Sequence, residues 1–395
     1  MEGSMNPFVE KTALEIVEKY TEPLVKGVWK FTKQEWEKFK VDFDIAFVKY
    51  IKNAYEKYSK IKTILYRTEP RNIYDFFEAP TLMKKRGEII CSKDIDHITE
   101  VSHFILIQGT GGIGKSTLLK HLFLNELEKK DLIPILIELK DINEISDDIG
   151  IEELVFKKLT NLGSSLRSDC LSYALSSGCF LFLFDGYDEI LTARRNDFFR
   201  KLDCFCDKYS KNYFIISSRP YSEFIEFQRF TVLSACPLDK EQAISLIRKL
   251  DYDTKTKEAF VEKLDEELYE KHESFASNPL LLNIMLLTFD NYASIPEKLH
   301  LFYSNAFETL YSKHDATKGG YHRELLSSLP YDDFRKIFSY FCYLTYYQGK
   351  IEFTQTELVE TFKKIKIQNI RFDVNDYIND LVCSLCVLYK EGFNY

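Results

Sequence analysis

The sequence predicts an α/β protein in which helices cover both faces of a parallel sheet, followed by a region built only of helices. Three observations carry this. Short apolar runs at His103–Gln108, Leu132–Lys140, Cys179–Phe184 and Tyr213–Ser217, with a weaker fifth at Phe230–Ala235, read as buried strands. Helical patterns at Lys115–Glu128, Glu152–Thr160 and Asn196–Tyr209 separate them, as crossovers between parallel strands require. Beyond Leu238 the strand texture stops.

The elements are justified in order. Residues 7–66 are expected to be helical, because Ala13, Ile16, Tyr20, Leu24 and Val25, and again Phe43, Ala46, Phe47, Tyr50 and Ile51, recur at helical spacing. Residues 67–100 read as irregular, with Pro70 and Pro80 as breakers. After Leu238, Asp239 opens a helix to Leu250, and helices are expected over 254–268, 279–289, 300–313 and Tyr331–Tyr347. Thr354-Gln355-Thr356-Glu357 has the form of a capping box opening the next helix. Val387–Tyr395 reads as a hairpin turning at Glu391-Gly392, with its return strand barely begun, so the sequence is expected to be a piece of a longer chain.

Composition narrows the function classes. Of 395 residues, 45% are hydrophobic, enough for a core and too many for a disordered chain. The formal net charge of −8, without a long basic run, gives no electrostatic support for nucleic-acid binding. Residues 6–67 run against this trend, with 13 Lys/Arg against 9 Asp/Glu, which a solvated helical face explains. Nine cysteines without framework spacing read as reduced thiols; Cys383 and Cys386 have zinc-ligand spacing but no second half-site. No leader pattern opens the chain, and Pro279–Phe289, the longest apolar stretch, is too short for a bilayer, so a cytoplasmic protein is expected.

The strongest chemical signal is Gly109-Thr110-Gly111-Gly112-Ile113-Gly114-Lys115-Ser116, which fits G-x-x-x-x-G-K-[ST] between an expected strand and helix. Its glycines let main-chain N–H groups close on phosphates, and the helix N-terminus, with Ser116 and Thr117 in its first turn, adds partial positive charge. Lys115 is expected to reach the β- and γ-phosphates, and Ser116 to offer its hydroxyl to Mg²⁺. A second strand ends in Asp185-Gly186-Tyr187-Asp188-Glu189. Asp185 is the expected second support for Mg²⁺. Gly186 is read as leaving room for nucleotide and metal, and Asp188 and Glu189 as orienting or deprotonating the attacking water. A third strand ends in Ser217-Ser218-Arg219-Pro220, which places Arg219 where it could sense a γ-phosphate. An N-K-x-D guanine motif is missing, which favours adenine.

Together these residues resemble the NACHT family of STAND signalling NTPases, over about residues 70–395. Asp185-Gly186-Tyr187-Asp188-Glu189 is similar to its Walker B motif, Ser217–Pro220 to its sensor 1, and Ser277-Asn278-Pro279-Leu280-Leu281-Leu282 to its proline motif. Ile295-Pro296, Leu301–Tyr303 and His314-Asp315 are similar to the family's later segment. The resemblance implies a P-loop NTPase with an ASCE/AAA-like strand order, Pro279 packed on adenine, and ATP/ADP with Mg²⁺ as ligands. It implies a nucleotide-binding domain at 67–238, a helical domain at 239–295 and a winged-helix domain at 296–395, after an N-terminal helical segment at 1–66 of unread output. It also implies a switch of bacterial, anti-phage type: an ADP-bound closed state, self-association on ATP and a trigger of phage or host origin, with slow hydrolysis. The family's winged-helix histidine would lie beyond Tyr395. The competing expectation is a DNA-binding initiator or remodelling ATPase with a winged helix.

Overall fold

The structure is a computed structural model. It describes residues 11, 15, 47–66, 69–85, 87–145, 149–162, 168–220, 227–292, 304, 307, 308, 311, 325–350, 353–367, 370–385, 387 and 388. It divides into two compact units, Met1–Ala293 and Ser294–Tyr395. Most of the expected helical segment 7–46, most of the helix at 300–313, the later family segment at 295–315 and nearly all of the C-terminal hairpin lie outside the described residues.

In the first unit, strands β1 (Lys60–Ile61) and β2 (Arg71–Asn72) pair with each other. The main sheet has seven strands: β3 (Thr81–Lys84), β4 (Ile89–Cys91), β5 (Phe104–Gln108), β6 (Ile133–Glu138), β7 (Phe180–Asp185), β8 (Tyr213–Ser218) and β9 (Thr231–Ala235), in the order β4-β3-β9-β5-β8-β7-β6. The five expected strands are all present and mutually parallel. Strand β8 lies between the strand entering the glycine loop and the strand ending in Asp185, the expected order. The region read as irregular is not so: β3 pairs antiparallel with both β4 and β9, making the sheet mixed. These strands are only three and four residues long, too short to show a period of two. A further helix, Ser168–Ser177, was also not anticipated.

The outer edge of β6 is covered by the helix at residues 47–58, which buries Phe47, Tyr50, Ile51, Ala54 and Tyr58 completely. Pro134 inside β6 suits only an edge strand, because it has no N–H to give. The Tyr50 and Tyr58 hydroxyls donate to the outward carbonyls of Pro134 (3.0 Å) and Leu136 (3.2 Å), so this edge is satisfied by side chains rather than by another strand. The helix therefore belongs to the core of the first unit. Among the described residues no helix is long and apolar enough to cross a membrane.

Behind the glycine loop runs the helix Lys115–Lys129. Its buried Glu126 accepts from the N–H groups of Asp131 (2.9 Å) and Leu132 (2.5 Å) and so fixes the turn into β6. Burial pushes the Glu126 carboxyl up to about 7 from 4.5. Between those values the folded chain holds a proton that the unfolded chain has released. The resulting stability is complete below about pH 4.5 and is lost as pH rises through about 7. Glu126→Gln is expected to flatten that slope, worth on the order of 2–3 kcal/mol, in thermal melts taken from pH 5 to 8. An unchanged slope would show that Glu126 is ionised in the fold.

The unit ends in helices. Asp239 caps Lys240–Lys249 with Gln242 in a reciprocal capping box, Thr254–Lys263 follows, and Pro279–Tyr292 closes the unit. The second unit is helical among its described residues: Tyr331–Tyr347, Gln355–Lys364 and Val374–Asn379, the last continuing through a wide turn at Asp380–Ser384. The Thr354–Glu357 capping box forms as read. Phe334, Ile337, Leu358, Phe362, Tyr377 and Leu381 form its core. A winged-helix sheet is not seen among these residues.

Candidate nucleotide-binding site

In the β5–β8 register Gln108 stands beside Ser218, and in β6–β7 Glu138 stands beside Asp185, so the carboxyl ends of these strands align along one edge. Ligands of open parallel sheets collect at that edge. The loop Gly109–Gly114 leaves β5 there and enters the helix Lys115–Lys129. Gly112 and Gly114 have φ of +80° and +98°, the left-handed region where only glycine is unstrained. The Gly109 N–H donates to Ser218 O at 3.2 Å, tying the loop to the neighbouring strand.

Lys115 Nζ donates to the carbonyls of Gly109 (2.6 Å) and Thr110 (3.0 Å), which holds the ammonium at the mouth of its own loop. The Ser116 hydroxyl donates to Asp185 Oδ1 at 3.0 Å, so the two residues expected to hold Mg²⁺ come together, one from the first turn of the helix Lys115–Lys129 and the other from the end of β7. Both present oxygen to the same point, the donor type that hard cations take, and the pair fits the ion. Ser217 donates to the same Asp185 oxygen at 2.6 Å and accepts from Gly186 N–H at 2.9 Å. It thereby fixes both the carboxylate and the turn that follows.

The acidic pair differs from its reading. Asp188 is gripped by Arg219, whose N–H donates to Oδ1 at 3.0 Å and whose Nε lies 3.4 Å from Oδ2, both side chains being nearly buried. Two groups expected to act separately therefore form one ion pair. The Arg219 guanidinium also packs on the loop, with Cζ 3.3 Å from where a Cβ on Gly111 would sit. Glu189 is 5% exposed, and its carboxyl carbon lies 2.9 Å from where a Cβ on Gly186 would sit. The room that Gly186 provides is thus taken by Glu189, and the left-handed φ of +81° gives a second reason for glycine.

Pro279 begins the last helix of the unit, and its neighbours seat that helix on the loop. Asn278 Nδ2 donates to Gly111 O at 3.0 Å, and Leu280 N–H donates to Gly112 O at 3.3 Å. Asn278 Oδ1 accepts from the N–H groups of Leu280 and Leu281, capping the helix. Sequence reading quoted Asn278 but gave it no task; an Asn directly before a helix-opening Pro is the cap signal that could have found it. It missed Arg195, which donates to the carbonyls of Asp188 (2.9 Å) and Ile190 (2.8 Å), and Asn143, which donates to Glu189 O (2.9 Å). Asn143 acts across 46 positions, and Arg195, only five and seven positions from its partners, bonds main-chain carbonyls that carry no side-chain signal.

A family model for the NACHT domain matches residues 103–252. This chain carries a NACHT domain. The match spans the glycine loop, the Asp185–Glu189 turn and Arg219, the residues on which the resemblance was read, and makes the protein a NACHT-domain NTPase. Solved structures similar to the NACHT chain include Drosophila ORC bound to DNA (13% identity, 66% of this chain and 66% of that chain, TM-score 0.33). Others are the Aeropyrum pernix ORC1 protein in complex with DNA (12%, 70% and 76%, TM-score 0.35) and AMPPCP-bound DnaA from Aquifex aeolicus (14%, 73% and 84%, TM-score 0.31). These scores are too low to carry an argument about function. No match was found among curated proteins.

Proposed function

We propose that this NACHT protein is an ATP/ADP-dependent signalling switch of the innate-immune, anti-phage type, closed with ADP and self-associating with ATP. One observation carries the reading: the phosphate loop is bonded directly to the helix that begins at Pro279, through Asn278–Gly111 and Leu280–Gly112. A nucleotide on this loop therefore acts, through the carbonyls of Gly111 and Gly112, on the helix that begins at Pro279, and its phosphates bias where that helix sits. In the loaded site Lys115 exchanges its two carbonyl partners for phosphate oxygens. Ser116 and Asp185 hold Mg²⁺, which neutralises phosphate charge. Arg219 stands against Gly111, where it can answer to the terminal phosphate while Asp188 holds it in place. The buried Asp188–Arg219 pair suits slow hydrolysis, because a carboxylate engaged by Arg219 is turned away from an attacking water. Self-association and a trigger of phage or host origin belong to the same proposal.

The test is the nucleotide content and oligomeric state of the purified chain. Bound ADP with a monomer, turning to a larger species with ATP and Mg²⁺, is the expected result. Lys115→Ala should weaken ATP about 10–100-fold, since a charge-assisted bond contributes about 1.5–3 kcal/mol, and should remove protection against phage. A chain that takes up neither ATP nor ADP would sink the reading. Salt-dependent affinity for duplex DNA would turn it toward an initiator ATPase.

A further inference from the structure

In neighbouring parallel strands, residues that stand side by side carry their side chains on the same face. Continuing the β7–β8 register past Phe184–Ile216 sets Ser217 beside Asp185, and the two side chains do meet, at 2.6 Å. On the other side of Asp185, the β6–β7 register sets Glu138 beside it. Glu138, Asp185 and Ser217 therefore form one row at the ligand edge, and its middle member is the carboxylate that bonds Ser116 behind the phosphate loop. Among the described residues Glu138 makes no hydrogen bond; its one ion pair is with Lys57, whose Nζ lies 3.7 Å from Oε2. It precedes the turn Leu139–Glu144, yet its side chain does not cap that turn. Burial works against its charge, but Lys57, Lys158, Lys140 and Lys120 outweigh burial and hold the carboxyl below its ordinary range. With its side chain 21% exposed, water and small ions can reach it. An ionised, mostly shielded carboxylate that accepts nothing from the protein calls for another donor. The two acids expected to meet water, Asp188 and Glu189, are taken up by Arg219 and by packing over Gly186.

We propose, resting on the nucleotide reading above, that Glu138 is a positioning residue of the metal end of the site, its carboxylate accepting from water carried by a Mg²⁺ ion on Ser116 and Asp185. Mg²⁺ gives up water reluctantly and keeps several when one or two carboxylates hold it. Neighbouring strands lie about 4.7–4.9 Å apart. A metal–water bond of about 2.1 Å and a hydrogen bond of about 2.7 Å together cover the same length, so a carboxylate one strand beyond Asp185 is spaced for the water around the ion. Such a carboxylate orders that water and adds negative charge beside the ion, which tightens the metal without touching it.

The test is calorimetric titration of the full chain with ATP, once in Mg²⁺ and once in EDTA, for wild type, Glu138→Ala, Glu138→Gln and Lys57→Met. In the wild type Mg²⁺ should tighten ATP. In Glu138→Ala that gain should shrink about tenfold or more, with the affinity in EDTA unchanged. Glu138→Gln keeps an oxygen without the charge and should lose part of the gain, a readout that stands if the alanine variant does not fold. Lys57→Met removes the ion pair and should leave the gain in place. A gain that survives in both Glu138 variants, a loss shared equally by Mg²⁺ and EDTA, an equal loss in Lys57→Met, or a wild type whose ATP affinity ignores Mg²⁺ overturns this assignment while leaving the nucleotide reading intact. A wild type that binds ATP in neither condition overturns both.

Discussion

Gly112→Ala is expected to cost the protein about 100-fold in ATP affinity and several kcal/mol of stability in its first unit. Two separate costs meet at this residue. At φ +80° a side chain is strained by about 1–2 kcal/mol. In addition, the new Cβ would lie 2.7 Å from Leu280 Cβ and 2.9 Å from Asn278 Oδ1. Those atoms open the helix seated on the loop and cannot swing away like the end of a flexible side chain, so the seat itself must shift. Gly114→Ala is the control: it has a more positive φ of +98°, yet nothing lies within 4 Å of its Cβ position. Calorimetric titration and melting of the two variants separate strain from collision. Equal losses in both would show that the contact with Leu280 is unimportant.

The second large effect belongs to the other unit. Asp380 is fully buried and accepts from the N–H groups of Leu326 (2.9 Å) and Ser327 (2.9 Å) and from the Ser384 hydroxyl (3.2 Å). It ties the segment before Tyr331–Tyr347 to the final helical turns. Asp380→Ala removes the shared acceptor of three part-buried donors and empties a fully buried site, so a loss of about 3 kcal/mol is expected. In urea the second unit should unfold well before the first. Asp380→Asn keeps one acceptor and should fall between the two. A midpoint that does not move in the alanine variant would show that water replaces the carboxylate.

The legible part of the site was the part written in contiguous residues. Gly109–Ser116 is one loop, and each of its residues has a task dictated by phosphate chemistry. Asp185 was legible because five apolar residues precede it in a strand that must end at the ligand edge. The joining of Asp188 to Arg219 was not legible, since it depends on how the ends of β7 and β8 meet, and the packing of Glu189 over Gly186 was not, since it depends on how the turn between them coils. Strands β3 and β4 escaped for a different reason: an antiparallel pair of seven residues is stabilised by β9, far along the chain, rather than by its own pattern.

The sequence by itself determined the phosphate loop, the five parallel strands and most of the helices described after Leu238, because these rest on local periodicity, capping and backbone freedom. Tertiary structure alone decided that Tyr50 and Tyr58 close the sheet edge, that Asn278 and Leu280 dock a helix on the glycine loop, and that Asp188 is neutralised by Arg219. Those contacts join residues 31 to 168 positions apart. Sequence spacing cannot select such a pair from many equivalent side chains; only the packed core fixes which of them meet.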